Sequence, residues 1–131
     1  MKTYWTATAV TAFVLLSGGL ADLLGADRVV AGIVALGYPA YLAAILGVWK
    51  ILGAVAITVP GHPRLKEWAY AGIVFDLSGA AVSHLVSGSP LFHPVVTTTL
   101  LVVALISWTT RPASRRLVAT GAAGERVAVP V

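Results

Sequence analysis

Long apolar runs, separated by short clusters of Gly, Pro and charged residues, make up most of this chain. They cover about residues 5–24, 39–59, 66–86 and 91–110. Each is about 20 residues, the length of helix that crosses a hydrocarbon core of roughly 30 Å at 1.5 Å per residue. None alternates apolar and polar residues for long, so membrane strands are not expected. Pro60-Gly61-His62-Pro63 closes the second run, Ser87-Gly88-Ser89-Pro90 the third and Arg111-Pro112 the fourth. Such clusters end helices because they lack backbone donors or need unusual dihedral angles. A shorter apolar stretch, about 29–36, lies between Asp27-Arg28 and Gly37-Tyr38-Pro39. It is too short to cross and reads as an interfacial or re-entrant helix.

The fold expected from this pattern is all-α, an integral membrane four-helix bundle. One domain, residues 1–111, carries the four spans, and a basic, flexible cytoplasmic tail occupies 112–131. Lys2 begins a plausible leader, but the first run continues to about Leu24. That length fits a span better than a cleaved signal.

Composition supports lipid as the solvent. Of 131 residues, 58% are hydrophobic and 11% charged, whereas a soluble domain carries about 25% charged residues. The net charge of +4 comes from basic residues in short loops and the tail. That placement marks a membrane protein's cytoplasmic side, so no nucleic-acid partner is expected. The absence of cysteine excludes disulfides, cysteine-ligated iron–sulfur clusters, thiolate zinc sites and dithiol relays. Redox chemistry would need a bound cofactor.

Lys2, Arg64, Lys66, Arg111, Arg115, Arg116 and Arg126 fall on one side of the expected spans, and Arg28 alone on the other. Basic residues stay inside, so both termini are expected in the cytoplasm, in a multi-pass protein of the bacterial inner membrane. Tyr4, Trp5, Trp68 and Trp108 then lie at inner helix ends, and Tyr38 and Tyr41 at the outer end, the headgroup level that such rings prefer. Gly47, Gly53, Gly72 and Gly79 fall inside helices, where small residues let backbones approach.

Candidate chemistry rests on the ionisable residues within spans. Lys50 lies eleven residues after Pro39, and Asp76 ten residues after Lys66. Both counts give about 15 Å of depth, near the bilayer centre. A charge there costs roughly 2.5–3.5 kcal/mol on insertion scales, so an ion pair or shared proton between Lys50 and Asp76 is expected. Two readings stay open: a structural pair that sets helix register, or a pocket for substrate or proton transfer. Gly72, Asp76, Gly79, Ala80, Ser83 and Ser87 share one stripe of the third span, expected to face other helices. Asp22, His84 and His93 fall at matching outer depths and are expected to cluster there. No spacing motif marks them as a metal site, and hydrogen bonding is their expected role. Glu67 sits in the first turn of its helix, where a carboxylate favours the dipole. Trp49 stands beside Lys50 near mid-depth, its indole N–H needing an acceptor.

Three stretches carry a resemblance: Leu36-Gly37-Tyr38-Pro39, Leu46-Gly47-Val48-Trp49-Lys50-Ile51-Leu52-Gly53, and Pro60 to Gly72 with its Lys66-Glu67-Trp68-Ala69-Tyr70-Ala71-Gly72 block. With Phe75-Asp76-Leu77-Ser78-Gly79-Ala80 and Ser83-His84 they are similar to the DoxX-like family. The resemblance extends nearly to Arg111. It implies a small four-helix membrane protein of the wider DoxX/DoxD group. Some relatives belong to thiosulfate:quinone oxidoreductase, some to membrane redox-stress complexes, and a distant animal branch chaperones acetylcholine receptors. Lys50, Glu67, Asp76, Ser83 and His84 occupy motif positions without one shared role.

Three function classes follow. The first is a redox-associated membrane subunit, with quinone as the cofactor that the resemblance suggests. The second is a small membrane enzyme with Asp76, Lys50 and His84 as acid–base groups on a lipophilic substrate, in ring opening or isomerisation. The third is a non-catalytic assembly or chaperone subunit. Asp22, Trp49, Ser83, Glu67 and Tyr38 are the expected pocket residues. Partners are the lipid bilayer, a lipophilic small molecule, and a partner membrane subunit or a second copy of the chain.

Overall fold

The computed structural model describes residues 1–117; most of the expected tail, from 118 onward, lies outside the described residues. The described residues form five α-helices without strands: α1 (Lys2–Leu23), α2 (Asp27–Ala35), α3 (Leu42–Thr58), α4 (Pro63–Val86) and α5 (Phe92–Thr109). A 3-10 turn, Ala113–Arg115, follows. α1, α4 and α5 are long and apolar enough to cross a membrane. α2 matches the short helix expected near 29–36.

The second run departs most from expectation. α3 has 17 residues, because Pro39 and Ala40 form a tight turn whose carbonyls accept from the Leu42 and Ala43 N–H groups. At 1.5 Å per residue it is about 26 Å long. Its last carbonyls take side-chain donors instead of a further turn. Lys66 Nζ donates to the carbonyl of Ala56 at 2.8 Å and also to that of Val59. Arg115 donates to the carbonyls of Ile57 at 3.1 Å and Thr58 at 3.2 Å. Two cations thus close the negative end of the α3 dipole and satisfy four consecutive carbonyls.

This capping revises two expectations. Lys66 and Arg115 read from sequence as solvated loop charges, but both are buried. The loose tail does not begin at Pro112, because Arg115 also donates to Tyr4 Oη at 3.1 Å and stacks on Trp5, 4.7 Å from its centroid. Tyr4 is fully buried rather than placed in an aromatic belt.

Gly25 ends α1 and Gly88 ends α4, at φ of +64° and +67°. In both, the glycine N–H and the next N–H return to carbonyls inside the helix, a left-handed stop that glycine adopts without strain. α1 packs against α3 and α5, and α4 against α3 and α5. α1 and α3 run antiparallel, since Tyr4 lies near Ile57 through Arg115 while Gly19 touches Gly47. The centre is filled by Ala12, Leu15, Ala54, Ile57, Tyr70, Ile73, Leu77 and Ala104. Large apolar side chains such as Phe13 and Phe75 point outward and are exposed, as suits a surface solvated by lipid.

Candidate functional site

The site begins where α1 crosses α3. A Cβ on Gly47 would stand 2.8 Å from the Gly19 carbonyl oxygen and 2.8 Å from the Leu23 nitrogen. Neither backbone atom can yield, so only glycine permits this approach. Asp22 lies three residues after Gly19, and Lys50 three after Gly47, each on the same face as its glycine. Lys50 Nζ donates to Asp22 Oδ2 at 2.8 Å.

The partner expected for Lys50 was Asp76; the structure pairs Lys50 with Asp22 instead. Residue counting measures depth along a helix and is silent on its rotation. The close α1–α3 contact sets that rotation. The counts put Asp22 about 9 Å further out than Lys50 between antiparallel helices, and the flexible lysine stem spans the difference. This removes Asp22 from the expected outer group with His84.

Lys50 and Asp76 nevertheless line one cleft between α3 and α4, of about 500 Å³. Leu46, Trp49, Lys50, Leu52, Gly53 and Ala56 form the α3 wall; Leu65, Trp68, Ala69, Gly72, Ile73 and Asp76 form the other, with Leu15 of α1 behind them. Trp49 and Trp68 are 65% and 80% exposed, so the cleft opens on the outer face of the helices. The lining is apolar except for Lys50 and Asp76. Among the described residues, Asp76 takes part in neither of the two ion pairs and makes no side-chain hydrogen bond.

The other expected site residues are elsewhere. Tyr38 Oη meets Ser83 Oγ at 2.7 Å. His84 Nδ1 lies 3.1 Å from Ser89 Oγ, and its ring stacks on His93 at 4.9 Å. That part of the outer group forms without Asp22. Among the described residues, no set of three or more His, Cys, Asp or Glu side chains is placed to hold a metal ion. Glu67 accepts from Arg111 at 2.7 Å and from the Trp108 indole at 2.8 Å. It lines a separate pocket of about 270 Å³ with Tyr70 and Phe75.

The expected inward stripe on α4 divides. Gly72 borders the cleft, but a Cβ on Gly72 or Gly79 would meet nothing within 4 Å. Neither glycine serves helix packing. The close-packing role belongs to Gly47, with Gly19 as its counterpart.

A buried polar group absent from the expectations joins three helices. Ser107 Oγ lies 2.6 Å from both Thr8 Oγ1 and Tyr70 Oη. Its sequence signal is slight: hydroxyl residues within apolar runs, at similar distances from the inner ends. A hydroxyl side chain can equally bond its own helix, as Thr11 does to the Ala7 carbonyl.

No curated protein and no solved structure matches the chain. A family model does match, over residues 6–107, a span that contains both walls of the cleft, the Asp22–Lys50 pair and Asp76. The chain belongs to the DoxX-like family.

Proposed function

We propose that this chain is a four-helix bundle of the bacterial inner membrane, with both termini cytoplasmic, that binds a lipophilic small molecule in the α3–α4 cleft. The observation carrying this reading is an apolar cleft of about 500 Å³ in which Asp76, among the described residues, has no ion-pair or hydrogen-bond partner for its side chain. Its volume is in the range of ligand pockets, and a few convergent polar groups in an apolar lining are typical of them. Its opening beside Trp49 and Trp68 gives access from lipid.

A quinone is the ligand class that family membership suggests, in keeping with a redox-associated membrane subunit. The residues present fit it. The apolar walls suit a ring and isoprenoid tail, Trp49 and Trp68 offer aromatic faces, and Asp76 is placed to hold or accept a proton. A bound quinone would supply two-electron redox chemistry that this chain's side chains lack. Lys50, tied to Asp22, would orient the head rather than carry protons.

An acid–base enzyme is the second reading, supported by the same unpartnered carboxyl. His84 does not line the cleft, which leaves Asp76 and Lys50 as its chemistry. The assembly reading is served less well, since a subunit that only packs against others has no use for a cleft.

Decylubiquinone titrated into the purified protein tests the proposal through tryptophan fluorescence. Saturable quenching is expected, and Gly53→Phe should abolish it by filling the cleft, because a Cβ there meets only Ile73, at 3.8 Å. Quenching that does not saturate, or that is identical in Gly53→Phe, counts against a quinone in this cleft.

A further inference from the structure

The charges around the cleft do not balance. Asp22, which is buried, and Lys50 neutralise each other at 2.8 Å, so the pair adds no net charge to the cleft. Asp76 remains, lining the same cleft as Lys50 but, among the described residues, in neither ion pair. If it is ionised, the site carries one uncompensated negative charge in a low-dielectric setting, where such a charge is costly. If it is protonated, it can give that proton to a basic head and become half of an ion pair. In both states the cleft gains from a head that brings a positive charge and loses from one that brings a second negative charge.

The aromatic rim points the same way. Trp49 and Trp68 both line the cleft and are largely exposed, and indole faces attract organic cations. Depth narrows the class. Asp76 lies thirteen residues from the start of α4 and ten from its end, about 15–20 Å from either, whereas a phospholipid keeps its ammonium at headgroup level. The occupant is therefore a single-headed amphiphile that can sink to that depth.

We propose that the α3–α4 cleft selects lipophilic amines, compounds with one cationic nitrogen on an apolar body, and discriminates against carboxylates of the same shape. This rests on the reading of the cleft as a ligand site and extends it from quinones to a charge-selected class. Asp76 supplies the counter-charge, Trp49 and Trp68 receive the body, and the Asp22–Lys50 pair keeps the lysine from competing as a cation.

The test uses the full chain in nanodiscs of phosphatidylcholine, whose surface is net neutral. Three ω-bromo undecyl probes (amine, alcohol and carboxylate) share one tail, and the bromine quenches tryptophan. Partition into protein-free nanodiscs is subtracted. The amine is expected to bind at least about tenfold more tightly than the carboxylate, with the alcohol between them. Asp76→Asn should remove that ordering while alcohol binding persists, and Asp76→Glu should preserve it. If Asp76→Asn does not assemble, the wild-type ordering and its retention in Asp76→Glu decide the matter.

A carboxylate that binds as well as the amine would overturn the proposal, and so would an amine preference that survives Asp76→Asn. Saturable decylubiquinone binding without charge ordering would sink this inference and leave the ligand cleft standing. Amine selectivity without quinone binding would do the reverse for the quinone. Absence of saturable binding by any probe would overturn both.

Discussion

Gly19 and Gly47 meet backbone to backbone where α1 crosses α3, and the Asp22–Lys50 ion pair closes one helical turn away on each strand of that contact. The glycines decide which carboxylate Lys50 reaches. With α1 this close, Asp22 is within range of the ammonium group, and Asp76 is left facing the cleft.

Gly47→Leu should therefore do more than add volume. Its Cβ would collide with the Gly19 oxygen and the Leu23 nitrogen, forcing the helices apart. A loss of about 1–3 kcal/mol is expected for such overpacking. Gly79→Ala, where a Cβ meets nothing, should be neutral or stabilise the helix by up to about 1 kcal/mol. Thermal unfolding of both variants in the same detergent checks the contrast. Equal loss in both would mean that the crossing is not held by this contact.

Asp22 and Lys50 should behave as a unit. Lys50→Met alone leaves Asp22 buried without its partner, and a loss of about 3–5 kcal/mol is expected. Adding Asp22→Leu should recover much of it. Adding Asp76→Leu in its place should not, because Asp22 remains unpaired. A double-variant cycle read by thermal unfolding separates the two pairings, and recovery with Asp76→Leu would reinstate Asp76 as the partner.

The carbonyl end of α3 gives a third test. Arg115→Ala strips donors from the Ile57 and Thr58 carbonyls and from Tyr4 Oη. Each lost charged hydrogen bond contributes about 1.5–3 kcal/mol, so the variant should unfold at lower temperature. Protease cleavage should appear near the 59–62 loop. Arg116→Ala, which removes bonds to the Arg111 and Thr109 carbonyls, should have the smaller effect because α3 keeps its caps.

Ser107→Ala should cost about 1–3 kcal/mol, since it leaves the Thr8 and Tyr70 hydroxyls buried without their shared partner. The paired change Ser107→Ala with Tyr70→Phe should cost less than the sum of the two single changes. Strict additivity in an unfolding cycle would show that the three hydroxyls do not act together.

Orientation is testable by itself. Reporter fusions after Arg116 and within residues 26–37 should report opposite sides of the membrane, with the first in the cytoplasm. A periplasmic signal after Arg116 would reverse the proposed topology.

By itself the sequence determined the helical class, four of the apolar segments to within a few residues at most ends, and the short helix before Pro39. These follow from run length and breaker residues, which act locally. It also placed Lys50 and Asp76 near the middle of their helices, because run length and rise per residue fix position along a helix. Tertiary structure alone decided which groups meet, since helix rotation depends on packing between segments far apart in the chain. Gly19 against Gly47 brought Asp22 to Lys50. The short α3 drew Lys66 and Arg115 inward as caps, although each reads locally as a cytoplasmic charge. Glu67 turned to Arg111 and away from the cleft because its position on α4 faces α5. Among the described residues Asp76 was left without an ion-pair partner for the same reason: the cation lining its cleft had already been claimed by a residue that counting alone placed too far away.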